Sequence, residues 1–492
     1  MNLNYSELLH AFLPEASLVV GAVLVLSIDL FSGRGRSLAE RLNVAVVIGL
    51  LALASALYHT CAAGTGGATF GGVLMLDALG RATRLGVLAL TALTLGLLPG
   101  TARLRNPAEF VAIILLAACG FTVMAVAQQL LLGFVALELA SLSLYILAGF
   151  DKSSPASAEA GLKYFLFGGV SAAFMLFGFS LLYGLTGSIE LPEIARQLNV
   201  VHTGPLLIAA LVMVLVGFGF KAAAAPFHLW APDVYEGAPV SSAALIASAS
   251  KLAGLTLFTR LLWAGFGPAS GGDAILSAAP GWLPVLALLA AASLLIGNLG
   301  ALVQTNVRRL LAYSAIAHAG ALLIGVMVAG AKSGPAPLLY YAFTYGLATI
   351  GAFGVIAVVD RAGRCQAITD LAGLHRRSPF LAGCLAIFIL SLAGIPPLAG
   401  FFGKFTVFAA ALKSFGLNSS MGALSLFAIA MSAIGLYYYL VILKQALVAA
   451  PANETPPAIP VSPAAKLTLL VLAAALVLLG VFPSLLIDVI SG

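Results

Sequence analysis

The chain has 492 residues, of which 61% are hydrophobic and only 9% are charged. Soluble domains average about 25% charged residues, so this chain lacks the polar surface that a soluble protein of its length needs. Its net charge of +6 does not indicate nucleic-acid binding, because the basic residues are spread over short loops between apolar runs. The composition therefore predicts a protein whose main solvent is the lipid bilayer.

Apolar runs long enough to cross a bilayer, about 20 residues each, recur along the whole chain. They predict 14 spanning segments, at 12–31, 43–62, 73–98, 108–127, 129–150, 160–186, 204–236, 239–264, 282–303, 309–330, 336–360, 379–417, 421–447 and 465–489. No soluble domain is predicted. The expected fold is an all-α polytopic membrane protein, with residues 1–492 forming one integral membrane domain.

Two of these segments, the seventh and the twelfth, are too long for one straight helix. The seventh is interrupted at 224–227 around Pro226, and the twelfth at 394–397 around Pro396 and Pro397. Proline removes a backbone donor and clashes with the preceding turn, and in lipid the freed groups need partners inside the protein or in water. Each break therefore predicts a polar cavity or packed protein beside it.

Broken helices in corresponding positions of two halves are typical of transporters built from inverted repeats. We expect one repeat at 108–264, comprising segments four to eight, and a second at 282–447, comprising segments nine to thirteen. Each unit has five spans, which is an odd number. The second copy must therefore be inserted upside down relative to the first.

The distribution of loop charge predicts the orientation, since cytoplasmic loops are enriched in lysine and arginine. The loops after odd-numbered segments carry Arg34, Arg36, Arg41, Arg103, Arg105, Lys152, Arg308, Arg309, Arg361, Arg364, Arg376, Arg377, Lys444 and Lys466. The opposite loops carry only Arg196, Arg260, Lys332 and Lys413. This asymmetry predicts cytoplasmic odd-numbered loops, with both chain termini on the periplasmic side.

A set of five ionisable side chains inside predicted spanning segments is the main candidate site: Glu138, Lys163, Lys221, Lys251 and Lys404. A charge at the bilayer centre costs about 2.5–3.5 kcal/mol on insertion scales. Burial favours the neutral form of both lysine and glutamate, and a nearby opposite charge favours the charged form. Such a group can release or take up a proton after a small change in geometry, so the pattern predicts a proton path. Ion pairs that only fix helix packing remain the alternative.

The order of the segments suggests how this path is arranged. Glu138 and Lys163 lie on adjacent helices, so a pair between them is plausible, although Lys163 is close enough to its helix end to reach the interface. Lys221 beside the first break and Lys251 on the next helix continue the row. Lys404, just after the second break, is its counterpart in the second repeat.

Two histidines extend the predicted path, because histidine titrates near neutrality. His228 follows the first break and His318 lies in the middle of the tenth segment, although a buried histidine is often only a packed core residue. Hydroxyls in membrane helices usually bond locally, and we expect this of Tyr340, Tyr341 and Thr344. Asp77 and Arg81, four residues apart in the third segment with Arg84 nearby, are interpreted as a local ion pair.

The sequence contains no phosphate-binding loop, no dinucleotide fingerprint and no cysteine spacing for zinc or iron–sulfur clusters. The four cysteines stand alone, mostly in or near apolar stretches, and are interpreted as small buried hydrophobes. We therefore expect no bound cofactor, no bound nucleotide and no electron transfer in this chain.

Several longer runs resemble the antiporter-like membrane subunits of the proton-pumping NADH:quinone oxidoreductase, respiratory complex I, and among them the N type. The resemblance covers nearly the whole chain and rests on runs at 13–15, 29–31, 137–139, 144–150, 157–165, 217–221, 226–239, 394–397 and 403–405. The run from 217 to 239 is the most specific. Lys404 supports the N type, because the M type is expected to carry a glutamate there.

The resemblance implies 14 helices, inverted five-helix repeats and a proton channel with a central polar axis. The positions that match this axis are Glu138, Lys163, Lys221, Lys251 and Lys404. It also implies a bacterial inner membrane and partners among the other membrane-arm subunits. FMN, iron–sulfur clusters, NADH and quinone would then belong to other subunits of the assembly.

Two other functions remain open from the sequence. A subunit of a multi-subunit cation/proton antiporter of the Mrp type shares the fold and the buried lysines, and it predicts sodium-dependent proton exchange without NADH. A structural membrane scaffold is the third possibility. It predicts that replacing Lys251 changes stability without changing proton movement.

Overall fold

The computed structural model describes residues 9–33, 35–64, 66–69, 72–100, 104–200, 204–272, 281–331, 334–363, 365–450 and 458–491. Within these ranges, 13 helices are long and apolar enough to cross a membrane. The broken twelfth segment adds a crossing made of two shorter helices. The predicted all-α polytopic fold is confirmed. Of the loop charges used for orientation, those at positions 34, 103, 332 and 364 lie outside the described residues.

Three spans and a small hairpin form the N-terminal part of the bundle. They are α1 (Leu13–Ser32), α2 (Leu38–Ala62), β1 (Gly67–Thr69), β2 (Leu74–Leu76) and α3 (Ala78–Leu97). The strands pair antiparallel. The third segment was predicted to begin at residue 73, which is wrong by several residues, since Asp77 caps the helix. Its Oδ1 accepts a hydrogen bond from the backbone N–H of Gly80 at 2.7 Å.

The next spans follow the predicted boundaries closely. They are α4 (Pro107–Val126), α5 (Leu130–Ala148) and α6 (Pro155–Thr186), followed by the short amphipathic helix α7 (Leu191–Leu198). Proline opens both α4 and α6, where its missing N–H is no loss. Helices α4 and α5 approach closely at Gly120, where an added Cβ would lie 2.8 Å from the carbonyl oxygen of Ala136.

The seventh and eighth segments are both broken. They form α8 (Pro205–Ala222), α9 (Ala231–Gly237), α10 (Val240–Ala247) and α11 (Ala249–Arg260), which ends in a π-helical turn at Leu261–Gly265. The predicted break of the seventh segment is confirmed: α8 ends where Ala223 adopts a left-handed φ of 58°. The break of the eighth segment at Ser248 was not predicted, because neither proline nor glycine marks it.

The second half of the bundle repeats the broken-helix feature. Its helices are α12 (Trp282–Leu302), α13 (Val307–Val328), α14 (Ala336–Ala362), the short α15 (Leu374–Arg377), α16 (Pro379–Ala393), α17 (Ala399–Phe415) and α18 (Ser420–Leu447). Helix α16 ends at Gly394, whose φ is 83°. This confirms the predicted break of the twelfth segment.

The chain closes with α19 (Pro463–Val481) and the short α20 (Ser484–Ser491). The most completely buried spans are α13, α14, the α10–α11 pair and α4, whereas α1 and α19 expose much of their apolar surface, as expected for lipid contact. The loops after the third, fifth, seventh and eleventh spans line one cavity, so they share a face that we call the inner face. The interior between α8, α11, α13, α14 and α17 holds the ionisable residues that the sequence singled out for a proton path, except Glu138 on α5, Lys163 on α6 and His228 between α8 and α9.

Candidate functional site

The first break is stabilised by contacts inside the protein. Indole Nε1 of Trp230 donates to the carbonyl oxygen of Phe220 at 3.2 Å, and the backbone N–H of Ala225 donates to Ser293 Oγ on α12 at 2.8 Å. These bonds satisfy backbone groups that the break frees from the helix. The break is thus held by both halves of the bundle rather than facing lipid.

Lys221 lies on the last turn of α8, directly before this break. Its side chain is only 6% exposed, and Nζ donates a hydrogen bond to Ser141 Oγ on α5 at 3.2 Å. On α11, a Cβ added to Gly254 would lie 3.0 Å from the Lys221 side chain. Glycine at this position therefore leaves room for the lysine stem between the helices.

Glu138 lies on α5 one turn before Ser141 and is half-buried. Its Oε1 is buried and has no hydrogen-bond partner among the described residues. Lys221 is the charged side chain that acts electrostatically on Glu138, and Glu138 acts in turn on Lys221. The structure therefore couples Glu138 to Lys221, whereas the sequence suggested Lys163 as its partner.

Lys163 is separated from this row and belongs to an ion network near the inner face. Its Nζ lies 2.6 Å from Glu159 Oε1 and 2.5 Å from Asp233 Oδ2, and the side chain is 37% exposed. Asp233 also binds Arg309 on α13, at 2.6 Å, and Arg309 binds Glu236 at 2.8 Å. The lysine lies in the first turns of α6, so it reaches these carboxylates instead of the membrane centre.

Lys251 lies at the start of α11, one turn after the break at Ser248. It is 4% exposed, and its Nζ donates to the carbonyl oxygen of Ala315 on α13 at 2.7 Å. The ammonium also lies 5.5 Å from the centre of the Tyr345 ring on α14. Lys251 and Gly254 stand one turn apart on α11, so this helix brings the sites of Lys221 and Lys251 next to each other.

His318 continues the row on α13. Its Nδ1 and Nε2 lie 2.6 Å from the Tyr341 hydroxyl and 3.0 Å from the Tyr439 hydroxyl, so each ring nitrogen has a hydrogen-bond partner. Tyr439 also shares a short hydrogen bond with Ser314. The histidine lies within electrostatic reach of both Lys404 and Lys251, and so it stands between them in the row.

Lys404 occupies the second break. Its Nζ donates to the carbonyl oxygens of Leu392 and Ala393, at 3.0 and 3.1 Å. These carbonyls belong to the last turn of α16 and have lost their helical partners, because the helix ends at Ala393. A cation is favoured at this end of a helix, so the break itself provides the binding site for the ammonium group.

The remaining residues that the sequence singled out, two of them tyrosines, lie in different surroundings. His228 is buried, but its Nδ1 has no hydrogen-bond partner among the described residues, and no described contact joins it to the lysine row. Thr344 bonds locally to the carbonyl of Tyr340, as expected. Tyr340 does not, because its hydroxyl donates to the carbonyl oxygen of Leu479 on α19. Tyr341 instead binds His318, and Tyr439, a residue that the sequence did not single out, binds the other ring nitrogen.

The charges around α3 pair over long distances in the sequence, so their interpretation as a local pair is wrong. Asp77 binds Arg260 at the end of α11, and Arg84 binds Glu15 of α1 at 2.8 Å. No ion pair between Asp77 and Arg81 forms in the described part of the chain. Asp77 stands at the start of α3, where its carboxylate bonds the N–H of Gly80 and also reaches Arg260 of α11. It does not extend along α3 toward Arg81.

The described residues contain no group of three metal-ligating side chains. Of the four cysteines, three are buried and Cys61 is exposed.

The contacts described above bring Glu138, Lys221, Lys251, His318 and Lys404 into one series across the interior. We call these five residues the central row.

Comparison with known proteins identifies the class of this arrangement. The family described as NADH:quinone oxidoreductase/Mrp antiporter, TM, matches residues 127–435. NADH-quinone oxidoreductase subunit N 2 of Acidobacterium capsulatum is 48% identical, with 98% of each chain covered.

Solved structures agree with this assignment. A chain of respiratory complex I from Thermus thermophilus is 33% identical, with a TM-score of 0.77 over 96% of this chain and 98% of that one. A chain of the Mrp complex from Dietzia sp. shares the fold, with a TM-score of 0.80, 20% identity, and coverage of 98% and 96%. The chain belongs to the NADH:quinone oxidoreductase/Mrp antiporter family of membrane subunits, and its sequence groups with the N subunits of NADH-quinone oxidoreductase.

Proposed function

We propose that this chain is a proton-translocating membrane subunit of an NADH:quinone oxidoreductase and that the central row carries the protons. The observation that carries this proposal is the placement of three interior lysines, two of them buried and Lys404 partly buried. Lys221, Lys251 and Lys404 each lie within a few residues of a helix break. Helix breaks are the places where backbone, water and side chains can rearrange inside a membrane protein.

Each member of the row has a distinct part in this mechanism. Lys221 and Glu138 form an acid–base pair in which a proton can move from the ammonium to the carboxylate. Lys251 holds a proton against the carbonyl of Ala315. His318 accepts or donates through its two tyrosine partners, and Lys404 receives a proton at the second break.

Lys163 has a different part, because it lies outside the row. We propose that Lys163 and Arg309 hold Asp233, so that α9 is tied to α6 and α13 at the inner face. His228 contributes to packing at the first break, since no described contact links it to the row.

The two halves of the row fit the predicted inverted repeats at 108–264 and 282–447. The fourth span of each proposed unit is broken, and each of these two breaks places a lysine nearby. Glu138, Lys221 and Lys251 belong to the first unit, and His318 and Lys404 to the second. This division supports two half-paths that meet near Lys251 and His318.

The proposed role places the redox chemistry in partner subunits. FMN, iron–sulfur clusters, NADH and quinone would be handled by other subunits, and neighbouring antiporter-like subunits would pack beside this one in a bacterial inner membrane. Both termini would lie on the periplasmic side, which makes the inner face cytoplasmic.

The test is to replace Lys251 or Lys221 by alanine and measure proton pumping and NADH oxidation in membranes that contain the assembled complex. We expect both activities to fall about tenfold or more, since a general acid–base group typically contributes about 10²- to 10⁴-fold. Lys413→Ala is the matched control, because this lysine is exposed at the end of α17.

Full pumping by the assembled Lys251→Ala complex would sink the proposal and favour a scaffold role. Sodium-dependent proton exchange that persists without NADH or quinone would instead identify an antiporter of the Mrp type.

A further inference from the structure

The eighth segment is broken at Ser248, one turn before Lys251, although neither proline nor glycine stands there. Helix α10 ends at Ala247 and α11 begins at Ala249, with Ser248 between them at φ −115° and ψ −90°. Ser248 is only 1% exposed. Inside a membrane, the backbone groups that a break frees need partners within the protein or in water, so this buried break needs a donor close by.

The hydroxyl of Ser248 is that donor. In an unbroken helix, the backbone N–H of Ser248 would bond to the carbonyl oxygen of Ala244. Here the N–H makes only a long bond of 3.4 Å to the Leu245 carbonyl, and Ser248 Oγ donates to the Ala244 carbonyl at 2.6 Å. The side chain has therefore taken the place of the helical bond that the break removes.

The same residue fixes the start of the helix that carries Lys251. The carbonyl oxygen of Ser248 accepts the backbone N–H groups of Lys251 and Leu252, at 3.0 and 3.1 Å. Side chains on a helix lean toward its N-terminus, so the lysine stem extends back toward the break. Its ammonium donates to the Ala315 carbonyl on α13 at 2.7 Å. The conformation at Ser248 therefore sets where the lysine side chain begins and which carbonyl its ammonium reaches.

Two adjacent residues of α14 contact the break and the lysine. A Cβ added to Gly346 would lie 3.4 Å from Ser248 Cβ. The ring centre of the preceding residue, Tyr345, lies 5.5 Å from the Lys251 ammonium. Because both contacts are made to one short stretch of α14, a change in the break alters the surroundings of the lysine directly.

A hydroxyl bond to the carbonyl four residues earlier does not break a helix by itself. Ser425 is fully buried on α18 and bonds the Met421 carbonyl at 3.2 Å, yet α18 continues without a break. Thr91 makes the same kind of bond within α3. Ser248 differs because its N–H no longer bonds Ala244, so its hydroxyl replaces a helical bond instead of adding to one.

We propose that Ser248 is a positioning residue for Lys251: its hydroxyl holds the Ala244 carbonyl, keeps the eighth segment broken and so places the ammonium at Ala315. Ser248 itself carries no proton along the row. This inference rests on the proposed function, because the position of the ammonium matters for pumping only if Lys251 is a proton carrier.

The test is Ser248→Ala in membranes that contain the assembled complex. The change removes the hydroxyl donor to Ala244 and leaves the backbone N–H to restore the helical bond, which makes the helix continuous and moves the ammonium away from Ala315. We expect NADH-driven proton pumping to fall about tenfold, since misplacing a reacting group by about 1 Å can cost about 10²-fold. Ser248→Thr keeps a hydroxyl donor and is expected to pump at nearly the wild-type rate.

Ser425→Ala is the matched control, because it removes the same kind of buried bond from an unbroken helix. We expect wild-type pumping from this variant. Wild-type pumping by the assembled Ser248→Ala complex would overturn the inference, and so would an equal loss in Ser425→Ala. If Ser248→Ala does not assemble, Ser248→Cys takes its place, since a thiol is only a weak donor. It is expected to pump more slowly than Ser248→Thr, and equal rates would overturn the inference.

A double variant shows whether Ser248 acts through Lys251. In the assembled Lys251→Ala complex, adding Ser248→Ala is expected to leave the residual rate of NADH oxidation unchanged, because no ammonium remains to be positioned. A merely structural role would lower that rate by the same factor in both backgrounds and would refute the inference.

Lys251→Ala alone separates this inference from the proposed function. If Lys251→Ala loses pumping and Ser248→Ala does not, the positioning role fails and the central row stands. If Lys251→Ala pumps normally, the proposed function fails, and the positioning role fails with it.

Discussion

The broken seventh and twelfth segments each present a lysine to the interior, but they compensate its charge differently. Lys221 precedes its break, donates to a serine hydroxyl and interacts with the carboxylate of Glu138. Lys404 follows its break and donates to two carbonyls at the end of α16. The first lysine therefore has an acidic partner on another helix, whereas the partner of the second is the backbone of its own segment.

This difference shows two ways to keep a lysine inside a membrane. An acidic partner can take up the proton, so the Glu138–Lys221 pair can change its charge distribution without moving the backbone. A pair of carbonyls can only accept hydrogen bonds, so the Lys404 site responds to a change in the break itself. We expect substitutions to separate these two behaviours.

The largest effect is expected when Lys404 is replaced by leucine. The change leaves the carbonyls of Leu392 and Ala393 without donors, at a cost of about 1–3 kcal/mol for each buried group. We expect the assembled fraction of the complex and its thermal inactivation temperature to fall, and pumping to be lost.

Lys404→Gln sharpens this result, because the glutamine amide still donates a hydrogen bond but carries no exchangeable charge at neutral pH. Assembly is expected to recover while pumping stays low. If Lys404→Gln pumps like the wild type, a backbone-only role for this lysine is established instead.

An intermediate effect is expected for Lys221→Gln, since it leaves the Glu138 carboxylate without its cationic neighbour. Lys221 Nζ bonds Ser141 Oγ and interacts with Glu138 only through its charge, so we expect a cost below the value of about 3–5 kcal/mol for breaking a buried ion pair. The double variant with Glu138→Gln is expected to regain part of the stability but not the pumping. A double-mutant cycle on thermal inactivation measures the coupling free energy.

No coupling in that cycle would show that Glu138 is not the partner of Lys221. The corresponding cycle of Lys404→Gln with Glu138→Gln provides the control, because the two residues belong to different repeats and no described contact joins them.

The smallest effect is expected for Lys163→Gln. Its pairs with Glu159 and Asp233 are partly exposed, and such pairs contribute about 0–1 kcal/mol. Arg309 also continues to hold Asp233. We expect nearly normal assembly and a pumping rate within about twofold of the wild type. A loss as large as that of Lys221→Gln would return Lys163 to the central row.

Much of the fold was predictable because hydrophobic length and proline act locally. Most spanning segments agree with the described helices within a few residues, and the breaks at Pro226 and Pro396 lie where the sequence placed them. The break at Ser248 was missed because no helix-breaking residue marks it. Ser248 packs against α14 there, since a Cβ added to Gly346 would lie 3.4 Å from its side chain.

The site was predictable only as a set of residues. An ionisable residue inside an apolar run is visible in the sequence, so Glu138, Lys221, Lys251, Lys404 and His318 were all found. Their partners were not, because Ser141, Ala315 and Tyr439 are unremarkable in the sequence and lie on other helices. Asp77 and Arg260 are 183 residues apart, and no local pattern relates them.

The sequence by itself determined that the chain spans a membrane, where two of its segments break at proline and which ionisable residues lie inside apolar runs. These properties follow from composition, length and proline, each of which acts within one helix. Only the tertiary structure decided that Glu138 interacts with Lys221, that Lys163 belongs to the inner-face network, and that Lys404 binds freed carbonyls. These choices depend on which helix faces meet, and in a nearly uniformly apolar chain the hydrophobic pattern alone does not specify those faces.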